Sequence, residues 1–329
     1  MLIEVSETSQ TGEARRKAVS YAEDLRMDQS QCGAVAIVAT EMASNLVKHA
    51  GRGHILVQPL HGSNSGLRIM SVDKGPGIAD VPRALRDGHS TSGTMGTGLG
   101  AIRRLADSFD LYSVPAAGTV VCAEFRQTSA KQVEQAALEV GVVSEPLAGE
   151  DVSGDGWGMR SSLGGILLMV VDGLGHGILA SEAAREAERV LSETRDTSPK
   201  EIIQNTHAAL KKTRGAAEGI ARIDIEKGLL SYVGIGNIST TIVTPAGTRS
   251  IASHNGILGL NTERVQEFTF PWNADNILVM HSDGLASRWD LQRYAGIWNK
   301  PSSVIAAVLH RDFSRGRDDV TVLVAKAAN

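Results

Sequence analysis

Aromatic residues make up only 4% of this 329-residue sequence, cysteine occurs twice, and no apolar run reaches the roughly 18 residues that a membrane-spanning helix requires. Each shortage excludes something. Cys32 and Cys122 lie far apart in apolar segments, so they read as small buried side chains and no disulfide is expected. The formal net charge is −4 and no basic cluster is interleaved with aromatics, so a nucleic-acid partner is not expected. The first residues, Met-Leu-Ile-Glu-Val-Ser, lack the basic stretch and apolar core of an export signal. No membrane association is expected, and the expected location is the cytoplasm. A Gly-Lys-Ser/Thr phosphate loop is missing too. With 42% hydrophobic residues the composition is that of an ordinary globular protein, and the length favours two domains, each able to bury a core.

Glycine is plentiful, at 35 residues, and it gathers around acids. The run Ile166 to Val171 has the length of a buried strand and delivers Asp172 into the turn Gly173-Leu-Gly-His-Gly177. Three other segments repeat the arrangement: Asp155 in Val-Ser-Gly-Asp-Gly-Trp, Asp283 in Met-His-Ser-Asp-Gly-Leu, and Asp318 with Asp319 in Gly-Arg-Asp-Asp-Val-Thr-Val. Ionised carboxylates brought together at strand ends repel one another, and all-oxygen ligands suit Mg²⁺ or Mn²⁺. Two such ions can lower the pKa of a water from about 16 toward 7 and direct it at phosphorus. His176 reads equally as a turn residue and as a contact to a phosphoryl group.

The first 126 residues carry a different pattern. A strand is expected over residues 2–6 and a helix over 11–27; Asp28 then N-caps a helix running to about Ala50. In it Glu41, Asn45 and His49 fall at i, i+4 and i+8, on one face. Strands follow at residues 54–60 and 67–72, the second ending in Asp73-Lys-Gly75-Pro-Gly77. A loop then reaches Gly96-Thr-Gly98-Leu-Gly100, where a helix starts whose free amides would face an anion. Strands at 108–114 and 119–126 complete a sheet with its helices on one face. The polar stretch 127–135 reads as a linker. Beyond it, helices are expected at 181–192 and 199–212, and strands at 219–224, 229–235, 240–244 and 277–281.

Glu41-x-x-x-Asn45, Asp73-x-Gly75-x-Gly77 and Gly96-x-Gly98-x-Gly100 together resemble the GHKL family of histidine-kinase-like ATPases, in its anti-sigma serine kinase branch, over residues 1–126. The four acid-bearing segments resemble the metal-dependent protein phosphatase (PPM) family, in its SpoIIE/RsbX-like branch, over residues 136–329. The resemblance implies a mixed α/β chain: a GHKL α/β sandwich followed by an α-β-β-α sandwich. It implies ATP as cofactor, with Asn45 holding Mg²⁺, Asp73 on the adenine amino group, and Gly75 and Gly77 beside the base. Gly96, Gly98 and Gly100 would line the triphosphate under a lid at 88–95, and Glu41 would be the catalytic base. For the second half it implies two Mg²⁺ or Mn²⁺ ions held by Asp155, Asp172, the Gly173 carbonyl, Asp283 and Asp318, with Asp319 a further candidate. Where the larger phosphatase branch has a longer acidic motif, Ser153-Gly-Asp-Gly-Trp157 carries one acid. The implied protein is a bifunctional regulator that adds and removes phosphate on Ser or Thr of a small STAS-type partner, with a sigma-like factor as another possible partner. An alternative makes the N-terminal half a binding module for ATP or a sigma-like protein, with catalysis confined to the phosphatase.

Overall fold

The computed structural model describes residues 1–329 except 61–64, 86–97, 128–136, 163, 196–197, 263–264 and 329. The chain forms two compact units, Met1–Ala136 with Trp298–Arg311, and Ala137–Ile297 with Asp312–Asn329. No described helix is long and apolar enough to cross a membrane.

The first unit holds β1 (Leu2–Val5), α1 (Thr8–Asp24), α2 (Gln29–Asn45), β2 (Gly53–Leu60), β3 (Gly66–Val72), α3 (Val81–Ala84), α4 (Gly98–Leu105), β4 (Ser108–Val114) and β5 (Gly118–Arg126). Its antiparallel sheet runs β1-β2-β3-β5-β4. One face, with Ile55, Val57, Ile69 and Ala123, packs against Ala18 of α1, Met42 of α2 and Ile102 of α4. Strand alternation puts Leu56, Met70 and Cys122 on the opposite face, and these are buried as well. Cys122 Sγ meets Ser303 Oγ at 3.8 Å, and Lys300 pairs with Asp110 at 2.9 Å. The expectation of helices on one face alone is therefore amended: residues 298–311 also belong to this unit.

Local chemistry sets the helix ends. Gln10 Oε1 accepts the Glu7 amide at 2.9 Å, which starts α1 three residues before the position expected from its composition. Asp28 Oδ1 accepts the Gln31 amide at 2.9 Å and caps α2 as expected. The α-helix stops at Asn45, however, and Leu46–Ala50 widen into a π-helix. His49 falls in this π-helical stretch and is exposed, whereas Glu41 and Asn45 are half-buried.

The second unit contains β6 (Leu138–Glu145), β7 (Asp155–Ser162), β8 (Gly165–Gly173), α5 (Ile178–Glu193), α6 (Pro199–Ala209), β9 (Ala216–Asp224), β10 (Leu229–Ile235), β11 (Ser239–Thr244), β12 (Gly247–Ile251), β13 (Gly256–Ile257), β14 (Asn261–Thr262), β15 (Phe268–Pro271), β16 (Ile277–His281) and β17 (Val320–Ala327). Helix α7 (Ser302–Phe313) crosses the division between the units, its residues through Arg311 lying in the first. Two five-stranded sheets, β15-β10-β9-β8-β7 and β12-β11-β16-β17-β6, stack face to face. Leu168, Val170, Tyr232, Met280 and Leu323 fill the space between them. Leu167, Met169 and Val171 turn to the other side, where Ala183 and Ala187 of α5 and Ile202 of α6 cover them.

Candidate metal centre and nucleotide site

Strand parity explains why the acids meet. Leu168 and Val170 of β8 point between the sheets, so the two-residue period sends Asp172 the same way. Asp155 is the register partner of Asp172 across the antiparallel β7–β8 pair. Directly opposed residues share a face with Cβ atoms about 5 Å apart, which sets these two carboxylates side by side. On β17, Leu323 and Ala325 point inward, and Asp319, just before the strand, has the same parity. On β16, Leu278 and Met280 point inward; two residues after Met280, Ser282 donates its hydroxyl to Asp155 Oδ2 at 2.6 Å, and Asp283 opens the following turn.

Other polar groups fix the cluster. Asn237 Nδ2 donates to Asp172 Oδ2 at 3.2 Å and to Asp283 Oδ2 at 2.9 Å, so one amide ties two acids together. Asp319 accepts the Leu147 amide on Oδ1 at 2.7 Å and the Gly154 amide on Oδ2 at 2.9 Å. Asp318 is exposed and accepts the Asp319 amide at 2.9 Å. Two glycines permit the close approach. A Cβ on Gly173 would fall 2.2 Å from the Ala180 carbonyl oxygen, and one on Gly284 would fall 2.0 Å from that of Asp319. Only a bare backbone fits at either place.

The acids feel one another. Burial and then the charge of Asp283 push the Asp172 carboxyl up to about 7 against the Asn237 hydrogen bond. Burial and then Asp172 raise Asp155 well above the usual carboxylate range, with Ser282 opposing. Asp318, largely open to solvent, is raised by the partial shielding of its carboxyl and then by Asp283, against the Asp319 amide. Among the described residues, no three His, Cys, Asp or Glu side chains already close on one point as a finished cage. The carboxylates form a loose, mutually repelling group spanned by Asn237. An all-oxygen donor set held under such repulsion fits hard divalent cations, which would relieve it. Asn237 and Ser282 escaped the sequence reading; Ser282 adjoins Asp283 in the motif, whereas Asn237 in Gly236-Asn-Ile carries no acid and gave no signal.

In the first unit, Asp73 directly follows β3. Its Oδ1 accepts the amides of Gly75 at 2.8 Å and Thr119 at 3.2 Å. Burial raises this carboxyl, while the two amides and the Arg311 charge favour the ionised, accepting form. Gly77 has φ +69°, and its missing side chain leaves room for the Val114 carbonyl. Glu41 and Asn45 face the start of α4: from the point a Cβ of Gly98 would occupy, Glu41 Oε2 is 3.1 Å away and the Asn45 amide group 3.5 Å. Gly100 is buried one turn-fraction further along α4. Gly96 and the lid expected at 88–95 lie outside the described residues.

Comparison with known proteins fits both halves. The model of the family described as Stage II sporulation protein E (SpoIIE) matches residues 162–328, and that of the histidine kinase-like ATPase domain matches residues 5–125. The chain is 36% identical over 109 residues to the serine/threonine-protein kinase RsbT of Bacillus subtilis, a match covering 33% of this chain and 82% of RsbT. It is 25% identical over 138 residues to the phosphoserine phosphatase RsbX of the same organism, covering 42% of this chain and 69% of RsbX. A chain from the structure "The bacterial stressosome: a modular system that has been adapted to control secondary messenger signaling" superposes with TM-score 0.54 and 30% identity, covering 57% of this chain and 99% of that one. RsbX crystallised with magnesium shares the fold, with TM-score 0.52 and 23% identity over 60% of this chain and 98% of its own. The SpoIIE match starts beyond Asp155, whose assignment to the cluster rests on its register with Asp172.

Proposed function

Since the chain belongs to the SpoIIE family of PPM phosphatases and carries a histidine kinase-like ATPase domain, we propose that it both removes phosphate from and adds phosphate to Ser or Thr of a small STAS-type signalling protein. The observation that supports the phosphatase half is the pairing of Asp155 with Asp172 across β7 and β8 and the Asn237 bridge from Asp172 to Asp283, with Asp318 near enough for the charges to act on one another. Asp155, Asp172, Asp283, Asp318 and the Gly173 carbonyl would hold two Mg²⁺ or Mn²⁺ ions. Asp319, with both oxygens given to backbone amides, positions the Leu147 and Gly154 loops. The ions would supply a water acidic enough to attack phosphorus at neutral pH. The chain's part is to set the donors: Ser282 orients Asp155, and Asn237 keeps Asp172 and Asp283 together.

In the kinase half, Asp73 would accept from the adenine amino group, Asn45 would reach the nucleotide's Mg²⁺, and Glu41 would take the proton of the attacking hydroxyl. Phosphoryl transfer asks mainly for such positioning. The approach of both Glu41 and Asn45 to the Gly98 backbone supports this reading over a pure binding module, since nucleotide binding by itself needs no base. RsbT and RsbX, named as a serine/threonine-protein kinase and a phosphoserine phosphatase, support an opposed pair of activities in one chain. The test is Asp172→Asn assayed on a phosphoserine protein with Mn²⁺: hydrolysis should fall at least about 100-fold, and a variant that retains wild-type hydrolysis refutes the assignment.

A further inference from the structure

The turn that follows Asp172 leads into an apolar surface. Nine large hydrophobic side chains are exposed among the described residues, and four of them gather here: Leu174, Ile178, Leu179 and Leu260, with 48%, 70%, 48% and 57% of their surface open. The first three are near neighbours in sequence. Leu260 joins them through Gly215, whose carbonyl accepts the Leu174 amide at 3.0 Å and whose bare Cα leaves the Leu260 side chain 3.5 Å from where a Cβ would stand.

The ledge borders a cavity of about 520 Å³ lined by the turn Gly175–Leu179 together with Glu150 and Arg214. Its polar groups are arranged unequally. Glu150 Oε1 is engaged by His176 Nδ1 at 2.7 Å, so its charge is directed at the imidazole. Arg214 lies across the turn, its Nη1 3.2 Å from the Cβ position of Gly175. Gly175 is three residues from Asp172, a span of at most about 11 Å of extended chain. Arg214 and the apolar ledge therefore both lie along the short turn that leaves Asp172. Contiguous exposed apolar surface with a polar rim marks an interaction site, and guanidinium suits a phosphate.

We propose that the Leu174, Ile178, Leu179 and Leu260 ledge, with the Arg214 cavity, docks the polypeptide segment flanking the phosphorylated residue of a phosphoprotein substrate. An apolar side chain of that segment seats on Ile178 and Leu179, and Arg214 faces its phosphate. This deepens the phosphatase reading and rests on it. Two features favour a substrate segment over a second copy of the chain as occupant: the cation complements a phosphate dianion, and one short turn joins the ledge to the carboxylate cluster.

The probes are a phosphoserine dodecapeptide with leucine beside the phosphoserine, the same peptide with serine in place of that leucine, and p-nitrophenyl phosphate. Ile178→Ser/Leu179→Ser changes exposed side chains only, so the full-length variant should fold. Its affinity for the leucine peptide, by fluorescence anisotropy, should drop about tenfold, the loss expected from one apolar contact of about 1.4 kcal/mol. Its kcat/KM for the leucine peptide relative to p-nitrophenyl phosphate should drop alike, through KM. Arg214→Ala should weaken both phosphopeptides equally. Unchanged peptide affinity in the serine variant overturns the proposal, as does wild-type dimerisation that the variant abolishes without altering peptide binding. If the peptide binds through the ledge but no phosphomonoester is cleaved, the docking site stands and the phosphatase reading fails.

Discussion

Glu218 offers a test of the physics of the second unit away from its chemistry. It pairs with Val171 on the helix side of β9, among Ala216, Ile220 and Ile202. Its side chain is fully buried; among the described residues the Thr206 hydroxyl donates to Oε1 at 3.5 Å and Oε2 has no hydrogen-bond partner. Burial pushes the carboxyl from its ordinary 4.5 up to about 8, with Thr206 opposing. The unfolded chain therefore releases this proton near pH 4.5 and the folded chain only near pH 8. Between those values the folded state binds one proton more, and stability falls as pH rises by about 1.4 kcal/mol per pH unit. Glu218→Gln keeps the shape and removes the proton. In urea denaturation with chelator present, the variant should gain about 3–4 kcal/mol on the wild type between pH 5 and pH 8. All other groups titrate equally in both proteins, so the difference isolates this one. A gap that stays constant over the range would mean that Glu218 is ionised or hydrated in the fold, and the reasoning would fail.

Two further outcomes follow from the sites. Gly284→Ala places a methyl 2.0 Å from the Asp319 carbonyl, a backbone atom that cannot swing aside, so the Asp283 turn must move away from Asp318. The expected result is about 1–3 kcal/mol of destabilisation and a weaker Mn²⁺ dependence of hydrolysis; wild-type Mn²⁺ affinity would refute the shared geometry. Glu41→Gln should keep ATP binding, measured by calorimetry, while losing about 100- to 10,000-fold in phosphate transfer from labelled ATP to a serine-bearing partner. Transfer at the wild-type rate would remove Glu41 from the role of base.

Regular elements were legible where pattern and period agreed. The strands at 67–72, 108–114 and 229–235 fall where alternation and turn signals put them, and Asp28 caps α2 as its position suggests. Legibility failed where the signal is tertiary. β7 reads Asp-Gly-Trp-Gly-Met-Arg-Ser-Ser, with two glycines and no apolar run, and becomes a strand because it completes the edge of a sheet beside β8. The buried helix α7 is apolar nearly all round, so no face of it marks a helix in the sequence. The π-helix after Asn45 likewise has no local code among Leu-Val-Lys-His-Ala. At the sites, the acids were visible from their glycines, but Asn237 and Ser282, which tie them together, are ordinary polar residues whose value lies in where three other strands bring them.

The acid cluster shows why such a site can survive in a stable fold. Asp172 ends the inner face of β8, whose preceding residues Leu168 and Val170 lie wholly within the core between the sheets, and Asp155 opens β7 directly opposite it. The parity that buries those side chains also forces the carboxylates together, so the repulsion cannot be relieved by turning one acid outward without reversing a whole strand. Neutral donors can soften it, and they are present in the Ser282 hydroxyl on Asp155 and the Asn237 amide between Asp172 and Asp283. Opposite charge can remove it, yet no lysine or arginine forms an ion pair with any of the four cluster acids among the described residues. Oxygen donors of this kind suit a divalent cation, which is the opposite charge that the proposed phosphatase function would bring to them.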